Sequence, residues 1–222
     1  MRIKILFFLS IVLLVSCGKQ TIETNNSSDS NIFDNLAVNQ KLKFVLYIAN
    51  INDINEFKYQ KDTLIWEVKQ VTNESIQISE YLSSGSNSLN GNNLISHADE
   101  TFQIKINKIG DKYLISSDDE RKSSRVLFNS NNFHLIKSYN NSNIIQLNDW
   151  LPNASIQSSE GLVQDMIINS KQYSKLNIVV DNSNLATTNI GSYFIYSPNG
   201  KIIRTLQYNT FNHIAFGWDI IN

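Results

Sequence analysis

The chain has 222 residues, 19 of them basic and 20 acidic, for a formal net charge of −1. A nucleic-acid-binding surface calls for a basic excess or a basic stripe, which is absent, and a single cysteine leaves no partner for an intrachain disulfide. Apolar residues make up 41% of the chain, enough for a globular core, while Gly and Pro are scarce and roughly a quarter of the positions are Asn or Ser.

Arg2 and Lys4 precede an apolar run from Ile5 to Val15, which closes at Leu14-Val15-Ser16-Cys17. A basic start, a short apolar stretch and a small residue before the cut describe an export signal. An uncleaved membrane span is too short: the run rises about 16 Å as a helix, about half of the ~30 Å hydrocarbon layer. Leu-Val-Ser-Cys resembles the lipobox of bacterial lipoproteins. That resemblance covers about twenty residues. It implies that signal peptidase II removes residues 1–16, and that Cys17 receives a diacylglyceryl group and becomes the lipidation site. Gly18, where an Asp would be associated with inner-membrane retention, implies the outer membrane. The mature chain then carries 17 basic and 20 acidic residues, so lipid rather than charge holds it to the membrane. One acyl chain binds marginally and two or three bind stably.

Residues 17–31 form the lipidated cysteine and a polar tether, rich in Thr, Asn and Ser and without apolar periodicity. Such a tether reaches roughly 20 Å. A β-rich globular region follows over residues 32–222, with a possible sub-boundary near residues 150–160 at Leu151-Pro152-Asn153-Ala154-Ser155.

The dominant period is two, that of a half-buried strand. Strands are expected at Leu42 to Ile48, Thr63 to Val71, Ile76 to Leu82, Phe102 to Asn107, Tyr113 to Ser116, Val126 to Phe128 and Phe133 to Tyr139. Turn formers separate them at Asn73-Glu74, Gly110-Asp111 and Asn140-Asn141, and Ser83 to Asn93 reads as a long loop. One helix is expected: Ser158-Ser159-Glu160 offers an N-cap, and Leu162, Val163, Met166 and Ile167 follow at helical spacing. Beyond it come strands at Leu176 to Val180, Tyr193 to Tyr196 and Ile202 to Tyr208, the last two joined by Pro198-Asn199-Gly200, a sequence suited to a tight reversal. Apolar residues on both faces of Tyr193 to Tyr196 mark a doubly covered strand. The fold class is therefore mainly β, an antiparallel meander forming a sandwich or lipocalin-like barrel with one short helix.

A search for chemistry returns no nucleophile elbow, zinc-binding helix, phosphate loop or dinucleotide fingerprint. His97-Ala98-Asp99-Glu100, with the remote His134 and His213, reads first as loop polarity and only second as a metal or acid–base site. Asp118-Asp119-Glu120 lacks the spacing of a calcium loop and reads as a hairpin tip. No metal, cofactor or catalytic residue is expected, and the protein is read as not an enzyme. Trp66, between Leu64 and Val68, belongs in the core. Trp150 and Trp218 are less determined, and each is a candidate ligand-binding residue if exposed.

The function expected is a non-enzymatic binding module of the cell envelope, anchored to the membrane through Cys17 and taking a small apolar or glycan ligand. The alternative is an interaction subunit of an envelope or outer-membrane protein complex, and a hydrolase comes third. The lipobox, the tether and strand patterns such as Leu64-Ile65-Trp66-Glu67-Val68 resemble the small β-rich lipoproteins of Gram-negative bacteria, whose domains are often lipocalin-like barrels or sandwiches. A deep apolar cavity would favour the first reading, and an exposed apolar patch or unprotected strand edge the second. Histidines clustered with carboxylates in a cleft would favour the third.

Overall fold

Period-two alternation becomes strand along most of the chain. The computed structural model describes residues 33, 35–83, 100–110, 112–117, 125, 132–136, 144–145, 147–148, 151–152, 158–163, 165–197 and 200–221. The strands are β1 (Lys41–Asn50), β2 (Asp53–Val71), β3 (Ser75–Leu82), β4 (Phe102–Ile109), β5 (Lys112–Ser117), β6 (Asn132–Ile136), β7 (Leu147–Asn148) and β8 (Leu151–Pro152). They continue with β9 (Ser158–Val163), β10 (Met166–Ile168), β11 (Lys171–Tyr173), β12 (Leu176–Asp181), β13 (Ile190–Tyr196), β14 (Ile202–Asn209) and β15 (Ile214–Ile221). Among the described residues there is one α-helix, the four-residue α1 (Leu185–Thr188), which ends at Asn189 in the left-handed conformation.

Eleven strands form one sheet in the order β6-β5-β4-β3-β2-β1-β15-β14-β13-β12-β9, and every named pairing in it is antiparallel. The protein is thus mainly β, built of two meanders whose seam is β1 against β15, with Phe44 opposite Ile220 and Ala49 opposite Ala215. The ends of the sheet, β6 and β9, do not pair with each other among the described residues. Sheets of about ten or more twisted strands curl rather than stay flat.

Directly opposed residues share a face, so the register divides the sheet into an inner and an outer face. Leu46 faces Trp218, and Trp66 faces Glu80, which in turn faces Phe102; all of these are buried and lie on the inner face. On the outer face the two meanders differ. Lys41, Lys43, Gln77 and Gln103 of the first are exposed, whereas Tyr193, Ile195, Leu206 and Ile178 of the second are buried. Strand β13 is covered on both faces, as its composition implied. Gly200 adopts φ +82° in the β13–β14 reversal, where its amide donates to Ser197 O at 2.8 Å.

The helix expected across Leu162 to Ile167 is not there. That stretch is β9 and β10, because a six-residue ladder with β12 outweighs a local apolar spacing that strand and helix share. After it, Asn169 and Ser170 both take positive φ (48° and 62°), the type I′ geometry that closes β10 onto β11 as a two-residue hairpin.

Strand β15 interrupts its apolar run with Gly217 and Asp219, both poor strand formers. Gly217 has a steric reason: a Cβ there would lie 2.0 Å from Thr205 O and 2.5 Å from the Tyr47 hydroxyl. Tyr47 sits opposite Gly217, lays its ring in the vacant space and donates to Thr205 O at 2.9 Å. Tyr208 does the same over Gly191, its hydroxyl donating to Asn182 Oδ1.

Candidate functional groove

Strand β2 is 19 residues long, but β3 accompanies it only from Leu64 onward. The remaining arm, residues 53–62, runs on towards the end of the sheet that carries the β1–β2 and β14–β15 turns, here called the upper end. No described strand pairs with its free edge. Against β1 the arm is irregular, since Tyr47 and Ile48 face Tyr59 and Lys58 between two register shifts. Bulges of this kind sit at barrel rims and next to binding sites, where they redirect side chains. With Lys58 and Lys61 exposed, they also blunt the edge against chance strand pairing.

The inner face is therefore open at the upper end, as a groove of about 470 Å³ lined by Ile48, Ala49, Asn50, Glu56, Lys58, Gln60 and Ile214. Ile48 and Ile214 supply apolar surface, and the arm supplies a polar wall with one acid, one base and an amide. Asn50 Nδ2 donates to Glu56 Oε2 at 2.8 Å, fixing the acid in place. Beside the groove, the β14–β15 turn is held by Asn209, whose Oδ1 accepts the amides of Phe211 and Asn212. That turn presents Phe211 at 76% exposure, next to Ile214 at 42%.

The arm's other side chains turn to the outer face and into a buried polar–aromatic cluster. Arg204 makes a two-pronged pair with Asp219, Nε to Oδ1 at 2.7 Å and Nη2 to Oδ2 at 2.6 Å, with both residues buried. Its guanidinium lies 4.7 Å from the Tyr47 ring and 5.2 Å from that of Phe57. Tyr47 stacks on Phe57 at 4.8 Å, and Phe57 meets Tyr59 edge-on at 5.4 Å. The Tyr59 hydroxyl donates to Asp219 Oδ2 at 2.7 Å and accepts the Asn169 amide at 3.0 Å. Burial pushes Tyr47 upward and Tyr193 up to about 12. Burial, joined by the Asp219 charge, also raises Tyr59. Burial alone would lower Arg204, but Asp219 and the surrounding tyrosines hold it well above its ordinary value.

A second buried pair ties the meanders together inside. Glu80 accepts the Trp66 indole at 2.8 Å and the Arg125 backbone amide at 2.7 Å, and the Arg125 carbonyl accepts the Trp218 indole at 3.1 Å. The Arg125 guanidinium lies 4.4 Å over the Phe102 ring. Trp66 is core, as its spacing implied. Trp218 is core too, at 1% exposure with its N–H engaged, so the condition for a binding role, exposure, is not met.

Cys17, Trp150, His97, Asp99 and residues 118–120 lie outside the described residues, as does most of the loop beginning at Ser83. His134 falls on β6 opposite Leu114, and His213 is exposed in the β14–β15 turn. Among the described residues there is no group of three or more His, Cys, Asp or Glu placed to hold a metal. None of their helices is long and apolar enough to cross a membrane. The arm itself was missed in the sequence, where only the odd–even contrast of Glu56, Lys58 and Gln60 with Phe57 and Tyr59 could have revealed it.

No family model matches the chain, and neither does any curated protein. Among solved structures it is similar to a beta-barrel-like protein of a domain of unknown function, DUF1849, from Brucella abortus. The identity is 5% and the TM-score 0.21, over 84% of this chain and 98% of that one. A likeness this slight adds nothing to the fold described above.

Proposed function

We propose that this is a non-enzymatic, lipid-anchored binding protein of the cell envelope, held by Cys17, that takes its ligand in the groove at its upper end. The observation that carries the reading is that groove: an apolar floor and a polar wall, backed by a buried ion pair. An open site of mixed lining suits an amphipathic or glycan ligand better than a wholly apolar one. Its placement agrees with anchoring. Phe33 packs on Tyr113 at 5.1 Å at the lower end of the sheet, and the Asn39 amide donates to Val68 O there, so the groove lies at the end of the sheet away from the tether.

A second reading, an interaction subunit of an envelope complex, is favoured by Phe211 and Ile214. Exposed apolar residues beside a groove are the usual anchors of a protein contact.

Native mass spectrometry of the full chain, extracted gently from its own envelope, tests both readings. A diacylglyceryl mass increment that vanishes in Cys17→Ala is expected, together with a bound molecule that is lost in Ile214→Lys. A bound small molecule supports the first reading and a bound protein the second. An unacylated chain overturns the anchor, and a bound molecule indifferent to Ile214→Lys overturns the groove.

A further inference from the structure

We infer that Tyr59 is a latch coupling the groove to the β10–β11 hairpin on the opposite face of the sheet, so that what binds in one is felt at the other. The inference rests on the groove being the binding face. Along the arm, Glu56, Lys58 and Gln60 line the groove, while Phe57 and Tyr59 point into the cluster behind it. Neighbouring residues of a strand cannot move independently, so a displacement of Lys58 or Gln60 displaces Tyr59. The backbone restrains the arm weakly, because only Lys58 and Tyr59 keep register with β1 between the two irregularities. The hydroxyl of Tyr59 supplies a restraint at this point, joining the arm, β15 and the Asn169 turn through one atom.

This bond is also one that can open. Asp219 keeps both of its bonds to Arg204 when Tyr59 leaves, so no buried charge is abandoned, and at 39% exposure Tyr59 can exchange its partners for water. The Arg204–Asp219 pair has no such freedom. A ligand that draws on Lys58 and Gln60 therefore competes with the latch, and release of the latch frees the Asn169 amide. By reciprocity, a hairpin held down favours one geometry of the groove wall.

Hydrogen exchange on the full chain and on Tyr59→Phe tests this, with 1-anilinonaphthalene-8-sulfonate as the groove probe. The variant keeps the ring and removes only the hydroxyl. It should speed exchange at Asn169 and in residues 56–60 about tenfold, the size of one hydrogen bond, and leave β3 to β5 unchanged. Phe57→Leu, which keeps the hydroxyl, should loosen the arm while Asn169 stays protected. In the parent protein, saturating probe should alter exchange at Asn169. The inference is overturned if Tyr59→Phe leaves Asn169 protected, if both variants behave alike, or if the bound probe does not change exchange at Asn169. Probe binding that survives Ile214→Lys overturns the groove reading instead, and the Tyr59→Phe comparison still decides whether the latch exists.

Discussion

The two meanders solve one problem differently. In β1 to β5 the inner face is buried and the outer face, outside the Tyr47–Phe57–Tyr59 cluster, is wet, so the strands largely alternate and outer lysines such as Lys41 and Lys69, paired with Glu67, are solvated. In β12 to β15 both faces are buried, the outer one around Arg204 and Asp219 and beside the β10–β11 hairpin. A charge on the outer face of the first meander is therefore cheap to remove, and one on the outer face of the second is not. The difference lies in the surroundings, since the same residue types occur in both.

Substitutions sharpen that contrast. Asp219→Ala strands Arg204 in the interior and should lower stability by about 3–5 kcal/mol in urea unfolding. Glu67→Gln, on the wet face, should leave the midpoint nearly unmoved; equal effects would break the comparison. Alkaline pH should act through the second meander as well. Tyr193 is buried and pushed up from its ordinary value of 10 to about 12. The folded state therefore holds this proton more tightly than the unfolded chain. Its contribution is complete below about pH 10 and is lost as pH rises towards 12, by about 2–3 kcal/mol, measurable as a falling urea midpoint. Gly217→Ala forces a methyl group onto a backbone carbonyl and should lose about 1–3 kcal/mol even after Tyr47 shifts. At Gly110, in the β4–β5 turn of the first meander, a Cβ would meet nothing within 4 Å, and the cost of Ala there is backbone strain alone. The smallest effect should be a gain. Ser170→Gly relieves a positive φ in the β10–β11 turn and should raise stability by about 0.4–1 kcal/mol in thermal unfolding.

The same contrast explains what could be read from the sequence. Phe102-Gln103-Ile104-Lys105-Ile106-Asn107 alternates because one face of β4 meets water, and the structure places it as the spacing implies. β13 was also legible, since aromatic and branched residues on both faces leave few alternatives. β15 was not, because its glycine answers to Tyr47 and its aspartate to Arg204, partners 170 and 15 positions away. The error at Leu162 to Ile167 has a similar origin: the ladder with β12 that makes β9 a strand is invisible in a local window. The groove is a product of unequal strand lengths and bulges, which follow from pairing rather than from composition.

The seam between β1 and β15 joins the first strand of the sheet to the last. A ribosome releases the chain from the N-terminus, so β1 has only its β2 edge occupied until the final residues emerge. Throughout that interval Leu46 and Tyr47 sit on a strand whose other edge is an open template for any passing extended segment. The closing contacts span almost the whole domain, which places this protein among slow folders governed by long-range pairing. Loss of the last eight residues would remove Trp218 and Asp219 together and leave that edge open permanently, turning a transient hazard of synthesis into a standing one.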